Sequence, residues 1–415
     1  MRDSGVFGRV SDPVCEARAR MDAVFDLVPE DTWYARPVPE RHRLIFYLGH
    51  MEAFDWNLLI AGGEPSPHVA LDELFAFGID PNADRLPDDQ PGDWPTLTEV
   101  RHYVRQVRSH LDARLPSTDP VLLAVASEHR LMHAETFTYL LHNLDQPVRD
   151  PVASESPFAV ASPPPCHRMI PIPAGKTTLG VRRCTGSSAL VKPEAFHWDN
   201  EFEAEEVVVP PFEISRYKIT NAQYRRFVDA GAPPPRYWRR RHGAWWWRTL
   251  TGNIPLPMEW PVFVSYNQAA AYAQWAGQSL PTEAQYQRAA YGTLNDHERP
   301  YPWGDVPPDP ARGNFDFQRW DPVPVTACPM GDSAFGVAQM LGNGWEWTST
   351  VFGPFPRFEP FAFYPGYSAP FFDGKHHVVK GASPLTASRL LRRSFRNWYR
   401  PNYSYVYAGF RCVSS

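Results

Sequence analysis

The sequence predicts an α+β protein in which an N-terminal helical bundle precedes an irregular mixed domain. The chain has 415 residues, more than one hydrophobic core usually organises, so two domains are expected. Helical apolar periodicity dominates residues 1–145, whereas residues 169–415 alternate short strands, turns and a few capped helices. Between them, residues 146–168 have the proline- and serine-rich composition of a linker. We therefore predict a four-helix bundle, a linker and a second domain.

The first two helices are predicted from their apolar periodicity. Residues 11–28 form an amphipathic pattern that Pro29 interrupts. A second helix over 44–59 places Phe46, His50 and Phe54 on one face. His50 should therefore point into the interior of the bundle.

The third helix should begin at the capping box formed by Thr96 and Glu99. Arg101, Arg105 and Arg108 then lie on one side of it. These guanidinium groups are candidates for binding a substrate carboxylate or phosphate. The alternative is an ordinary solvated helix face.

The fourth helix is predicted over residues 120–144, with Asp119 as its N-cap and Pro120 at its first position. His129 and His133 are one turn apart on its buried side, so both imidazoles can reach one metal ion. His50 is predicted to supply a third nitrogen. Three neutral imidazoles on one face of a metal leave its other positions open, and they suit iron as well as zinc. The alternative is that these are packed core histidines.

The second domain contains three further capping boxes, each opening a helix that can end at a glycine. The pairs are Thr220 with Gln223, Ser265 with Gln268, and Thr282 with Gln285, and the glycines are Gly231, Gly277 and Gly292.

Composition limits the partners that we expect. The net charge of −5 and the pI near 6.3 argue against nucleic acid or an anionic membrane as the main partner. Five scattered cysteines without a CxxC pair are typical of reduced thiols. We see no signal sequence and no apolar run of membrane-spanning length, so we expect a cytoplasmic protein that acts on small molecules.

Several motifs together resemble a known family. His50 in Gly-His-Met-Glu-Ala-Phe and the His129-x3-His133 pair resemble the DinB-like bundle of the ergothioneine-pathway sulfoxide synthases. The second domain resembles the formylglycine-generating-enzyme (sulfatase-modifying factor) fold, a C-type-lectin-like mixed domain. Its matching segments are 172–175, 219–224, 280–286, 301–304, 342–347, 394–398 and 409–411.

This resemblance implies a mononuclear non-haem Fe(II) oxidoreductase with His50, His129 and His133 as ligands. Such enzymes use O2 to join a sulfur donor to the imidazole of hercynine or histidine, and the selenoneine synthase branch forms a C–Se bond instead. The resemblance also implies that Asn397 and Trp398 bind substrate, with a structural turn as the alternative reading.

The resemblance further indicates a tyrosine acid, for which Tyr364 and Tyr367 are the candidates. A packing role is the alternative for both tyrosines. The Trp245–Trp247 run is interpreted as loop packing, with a cation–π cage for a trimethylammonium group as the alternative. The resemblance also makes Asn343, Gly344 and Glu346 candidates for a structural Ca2+ site, as in some relatives.

Two positions depart from the family pattern and bear on the substrates. Met132 stands where many ergothioneine-branch enzymes have a substrate-contacting Gln, and Tyr399 stands where users of γ-glutamylcysteine tend to have an Asp that holds the donor's amine. An ammonium group in a partly dry pocket needs a counter-charge, whereas an uncharged selenosugar does not. The sequence therefore favours selenoneine synthesis from hercynine and a selenosugar, with C–S bond formation from cysteine or γ-glutamylcysteine as the alternative.

Two other enzyme classes compete. A DinB-type thiol transferase with zinc at the three histidines gives the second domain no role. A formylglycine-generating oxidase needs a pair of copper-binding cysteines before the final Gly-Phe-Arg, and residues 392–407 contain no cysteine.

Overall fold

A computed structural model describes residues 13–60, 68–76, 87–149, 165–183 and 196–414. The chain forms two compact units. Unit 1 comprises Met1–Phe137 and Leu190–Phe196, and unit 2 comprises Thr138–Ala189 and His197–Ser415. Most of the predicted linker, residues 150–164, lies outside the described residues.

Five α-helices run through the first part of the chain. They are α1 (Pro13–Phe25), α2 (Leu44–Leu59), α3 (Val69–Phe75), α4 (Leu97–Asp112) and α5 (Pro120–His142). The four long helices are those predicted, and the short helix α3 was not predicted. Helix α2 packs against both α3 and α4, so it lies centrally in unit 1.

The predicted starts of α4 and α5 are confirmed by their caps. The Thr96 hydroxyl accepts from the Glu99 amide, and the Glu99 carboxylate accepts from the Thr96 amide. At α5, the Asp119 carboxylate accepts from the Val121 amide at 2.8 Å. Each cap satisfies amides that have no partner inside the helix.

Unit 2 contains twelve short strands in its described part. In chain order they are β1 (Met169–Ile172), β2 (Gly175–Leu179), β3 (Glu205–Val209), β4 (Phe212–Ser215), β5 (Trp238–Arg241), β6 (Ala244–Arg248), β7 (Asn253–Pro255), β8 (Gly344–Val351), β9 (His377–Ala382), β10 (Asn397–Tyr399), β11 (Ala408–Gly409) and β12 (Val413–Ser414). They form four small sheets with the orders β1-β4-β12, β2-β3, β5-β6-β7 and β10-β9-β8-β11. The pairing of β8 with β11 is parallel, and every other pairing within these sheets is antiparallel.

The remaining helices, α6 (Asn221–Asp229), α7 (Tyr266–Trp275) and α8 (Glu283–Tyr291), begin at the three predicted capping boxes. Gly231 and Gly277 follow α6 and α7 with φ of 104° and 70°, in the left-handed region that glycine adopts without strain. Gly292 follows α8 with φ of −72°, so it ends that helix without a left-handed turn.

Two further expectations concern cysteines and membranes. Cys15, Cys166, Cys328 and Cys412 are free thiols, as expected, and Cys184 lies outside the described residues. Among the helices that the structure describes, none is both long and apolar enough to cross a bilayer.

Candidate metal centre

The three predicted histidines converge inside unit 1. His50 comes from α2, and His129 and His133 come from α5. One nitrogen from each ring lies within 4.8 Å of the others, and all three side chains are buried. Within the described part of the chain, this is the one group of three or more His, Cys, Asp or Glu residues close enough to share a metal ion. Glu135 does not belong to it, as its position round the helix predicts.

The orientation of the His50 ring is set by helix α3. The His50 Nδ1 atom lies 2.7 Å from the carbonyl oxygen of Phe75, the last residue of α3. Because a carbonyl can only accept, Nδ1 carries the proton and Nε2 keeps the lone pair. A hydrogen bond of this kind fixes the tautomer of a metal-binding histidine.

Burial keeps all three imidazoles neutral. It lowers the pKa of His50 to about 4, although the Phe75 bond partly opposes this shift. Burial and the neighbouring histidines also hold the pKa values of His129 and His133 well below the usual value. Neutral rings are the form that binds a metal ion.

One buried atom of this group lacks a hydrogen-bond partner. Nδ1 of His133 has none within the described part of the chain. A buried nitrogen left in this state costs free energy unless something else binds it. The donor set therefore fits a metal ion better than it fits a set of packed core histidines.

Aromatic rings line the histidine group. Phe54 stacks on His129 with ring centroids 3.5 Å apart, and Phe46 stacks on His50 at 4.8 Å. Met132, the residue before His133, is half-buried. These apolar walls limit the access of water to the nitrogens, which strengthens electrostatic interactions there.

A buried charge network joins the two helices that carry the histidines. Arg130, which follows His129 on α5, donates to both carboxylate oxygens of Glu52 and, at 2.6 Å, to Asp55, both on α2. Arg108 from α4 donates to Glu52 at 2.9 Å and bonds Asp22 with two nitrogens. Burial raises the pKa of Glu52, but Arg130 and Arg108 outweigh it and lower that pKa to about 2.

This network was not predicted from the sequence. Arg130 and Glu52 are charged residues inside otherwise apolar helices, and that signal was available. The role of Phe75 could not have been found in the same way, since its contribution is a backbone carbonyl.

The arginines of α4 have different environments from one another. Arg101 and Arg105 are exposed, and Arg101 pairs at 3.3 Å with Glu30, which is also exposed. Arg108 is engaged in the buried network. Arg108 therefore has a structural role, whereas substrate binding by the exposed Arg101 and Arg105 stays a prediction.

The predicted substrate residues of the second domain occupy opposite faces of β10. Asn397 donates to the Tyr399 hydroxyl at 3.1 Å, and Tyr399 stacks on Tyr403 with ring centroids 5.6 Å apart. Trp398 points the other way and stacks on Phe352 at 4.2 Å. Alternation along a strand separates Trp398 from its two neighbours.

The two candidate tyrosine acids lie close to each other, and Tyr367 also contacts Trp398. Tyr367 stacks on Trp198 at 4.0 Å and meets Trp398 edge-on at 5.6 Å. Tyr364 lies 5.6 Å from Tyr367, and burial together with Asp199 raises the pKa of Tyr364 to about 12. Tyr364 is therefore protonated at neutral pH, and Tyr367 contacts both Tyr364 and Trp398.

The expected Ca2+ site at Asn343, Gly344 and Glu346 is not supported. Glu346 is buried between Lys218 at 2.5 Å and Arg411 at 2.8 Å, so two cations of the protein already neutralise it. The amide oxygen of Asn343 accepts from the Val323 amide and from Asn314. These side chains do not fit a Ca2+ ion, because their oxygens already serve other donors.

Both parts of the chain match known protein families. Residues 155–415 match the Sulfatase-modifying factor enzyme 1-like domain, and residues 15–141 match the DinB superfamily. The chain is 34% identical over 405 residues to a hercynine oxygenase of Mycolicibacterium thermoresistibile, which covers 89% of this chain and 86% of that protein.

Two further relatives extend the comparison. The hercynine oxygenase of Mycobacterium tuberculosis is 34% identical over 402 residues, covering 89% of this chain and 90% of that protein. Ergothioneine biosynthesis protein 1 of Neurospora crassa is 28% identical over 515 residues, covering 98% of this chain and 58% of that protein. With both domains in the same order and a three-histidine group in the first, this chain belongs to the ergothioneine-type sulfoxide synthase family of oxidoreductases.

Proposed function

We propose that this protein is an O2-dependent Fe(II) enzyme that forms a bond between sulfur and the imidazole ring of hercynine. The buried group of His50, His129 and His133 carries this proposal, because three neutral nitrogens bind a metal and leave other positions open. The names of the relatives support the acceptor and the use of oxygen.

Iron is proposed over zinc because of the reaction type. Imidazole ligands suit both metals, so the donor set alone does not choose between them. Oxidative bond formation needs a redox-active ion, and Zn2+ has no redox chemistry. When bound, Fe(II) supplies the activation of O2.

The proposed reaction is balanced without an external reductant. One imidazole C–H bond and one S–H bond break, and a C–S bond forms. One oxygen atom of O2 becomes the sulfoxide oxygen, and the other leaves as water together with the two hydrogens. The two substrates supply all four electrons that reduce O2.

The protein's own residues are proposed to orient the metal and deliver protons. The Phe75 carbonyl holds His50 in the tautomer that leaves Nε2 free, and Arg130 ties the two histidine-bearing helices together. Tyr364, with its pKa raised to about 12, or Tyr367 is proposed to donate the proton that the oxidation requires. Trp398, Asn397 and Met132 are proposed to contact the substrates.

A second candidate donor is the selenosugar of selenoneine synthesis. Tyr399 supports it, since this residue stacks on Tyr403 and offers no negative charge to an ammonium group. The names of the relatives favour sulfur, so we place C–S bond formation first and C–Se bond formation second.

Metal analysis and oxygen consumption test the proposal. We expect anaerobically purified protein to bind about one Fe(II) per chain and to consume O2 when hercynine and a donor are both present. Cysteine, γ-glutamylcysteine and the selenosugar should be compared side by side. Stoichiometric zinc with metal-dependent thiol transfer and no O2 uptake would assign the protein to the zinc transferases instead.

A further inference from the structure

The hairpin formed by β5 and β6 concentrates positive charge in a protein that is acidic overall. Five of the thirteen residues from 236 to 248 are arginine, and no Asp or Glu occurs between Asp229 and Glu259. The net charge of −5 conceals this cluster. The run Trp245–Trp247 lies in strand β6 and not in a loop as predicted. Trp246 and Trp245 pair with Arg239 and Arg240 across the hairpin, and Trp247 pairs with Trp238.

Strand register sorts these side chains onto two faces. Arg239 pairs with Trp246 across the strands, and Trp238 pairs with Trp247. Because side chains alternate along each strand, Trp238 and Trp247 share one face, and both are buried. The opposite face carries Arg239, Arg241, Trp246 and Arg248, all half-buried or exposed. We call this opposite face the arginine face.

Arg236 extends the arginine face at the start of the hairpin. Its Nε donates to the amide oxygen of Asn143 at 2.5 Å, and its guanidinium lies 4.0 Å from the centre of the Tyr405 ring. Nη1 of Arg239 donates to the backbone carbonyls of Arg236 and Trp238. These contacts hold two guanidinium groups in place while leaving other N–H groups of each without a protein acceptor in the described chain.

The arginines of this face form no ion pair with a carboxylate of the described chain, and Asp145 is the one acid that acts on Arg248 from nearby. Among the described residues, no carboxylate forms an ion pair with Arg236, Arg239, Arg241 or Arg248. Burial and the neighbouring arginines lower the pKa of Arg239. Burial and Arg236 also lower the pKa of Arg248, although Tyr237 and Asp145 oppose the shift. Gathering like charges in half-buried positions costs free energy unless an anion occupies the space between them.

We propose that the arginine face binds a small phosphorylated molecule carrying at least two negative charges. Planar guanidinium groups bind phosphate oxygens through paired N–H donors, and three or more converging groups favour a polyanion over a single carboxylate. Trp246, half-buried between Arg239 and Arg248 on the same face, offers a flat apolar surface to the remainder of the ligand. The overall negative charge disfavours a nucleic acid, whose long backbone would be repelled outside this face.

Inorganic pyrophosphate titrated into the full-length, metal-loaded protein tests this proposal, with tryptophan fluorescence and calorimetry as readouts. At an ionic strength of about 0.15 M, wild type should bind it, and Arg239→Gln and Arg248→Gln should each weaken binding about tenfold. Arg225→Gln is the matched control, because Arg225 on α6 is an exposed arginine paired with Asp229. Thermal unfolding and iron content should match wild type in Arg248→Gln, whose side chain makes no hydrogen bond within the described chain.

Three results would overturn the proposal. The first is that wild type does not bind pyrophosphate. The second is that Arg248→Gln and Arg225→Gln lose pyrophosphate affinity equally, and the third is that citrate binds as tightly as pyrophosphate. Tighter binding of a short single-stranded oligonucleotide than of pyrophosphate would assign the face to nucleic acid instead. The proposal stands independently of the metal centre, so a failure here would leave the proposed oxidation untouched.

Discussion

Arg130 and Glu52 form an ion pair in which the two side chains expose 1% and 0% of their surface to solvent. The pair joins α5 to α2, and Arg130 also bonds the Met51 carbonyl at 3.0 Å. His129 immediately precedes Arg130, and His50 precedes Glu52 by two residues. The two helices that carry the three histidines are therefore joined by a charge pair that contains none of them.

Arg130→Met should destabilise the protein and loosen the metal centre together. The change leaves Glu52 and Asp55 buried without their main cation, at a cost of about 3–5 kcal/mol. Denaturant unfolding measures the stability, and titration of the folded apoprotein with Co(II), followed by its absorption spectrum, measures metal affinity. Arg411→Met is the control, since Arg411 is an equally buried arginine paired with Glu346. It should lower stability without changing the Co(II) spectrum, and an identical spectrum in Arg130→Met would contradict the positioning role.

His133→Ala should abolish both iron binding and O2-dependent product formation. Removing one of three imidazoles leaves two, which hold Fe(II) too weakly to survive purification. Iron content measured by elemental analysis checks this expectation, together with product formation from hercynine. Arg225→Ala, at an exposed position of α6, should retain both iron and turnover. Full iron content in His133→Ala would show that the site was assigned wrongly.

Tyr364→Phe and Tyr367→Phe should separate the two candidate proton donors. Loss of the true donor should lower kcat at least about tenfold, because general acids typically contribute a hundredfold or more. Iron content and KM should stay near wild type, since each hydroxyl is removed and each ring retained. Measuring kcat, KM and iron in both variants identifies the donor. Unchanged kcat in both would eliminate this pair.

Tyr399→Asp should increase the use of γ-glutamylcysteine relative to an uncharged donor. The new carboxylate would neutralise the donor's ammonium group, whose burial without a partner costs several kcal/mol. The ratio of kcat/KM values for γ-glutamylcysteine and the selenosugar is the measurement. Tyr399→Phe is the control for loss of the hydroxyl that accepts from Asn397. A ratio that shifts equally in both variants would argue against a charge effect.

Glu201→Gln should lower stability at neutral pH and have less effect in acid. Burial raises the pKa of Glu201, but Arg392 and the hydrogen bond with His197 more than offset it, leaving the pKa well below its ordinary value of 4.5. The folded state therefore binds fewer protons than the unfolded state, so this contribution is full above pH 4.5 and declines below it. Denaturant unfolding of both proteins from pH 7 downward should show the difference shrinking below about pH 4.5. A constant difference across this range would contradict the assignment.

The local parts of this structure were the predictable ones. A capping box such as Thr282 with Gln285 depends only on residues three apart, and all four predicted boxes are present. His129 and His133 were predictable for the same reason, because helix geometry alone places them together. His50 required only the additional inference that two helices share one interior.

The structural features that were not predicted from the sequence depend on long-range contacts. The bond from His50 to Phe75 spans 25 positions and depends on α3, a seven-residue helix with too few turns to show periodicity. The expected Ca2+ site failed because Lys218 and Arg411, which are distant in sequence from Glu346, occupy its carboxylate. The arginine face was also not predicted, because the net charge of the chain does not record where the individual charges lie.

Because side chains alternate along β10, a substitution on one face of the strand can leave the other face unchanged. Trp398 packs with Phe352 and Tyr367 on one face, while Tyr399 and Asn397 contact each other on the other. A substitution at position 399 can therefore alter polarity there without repacking the aromatic rings around Trp398. Properties that depend on only one face of β10 can therefore change separately during evolution. Inserting a single residue in β10 would instead exchange the two faces and disrupt both together.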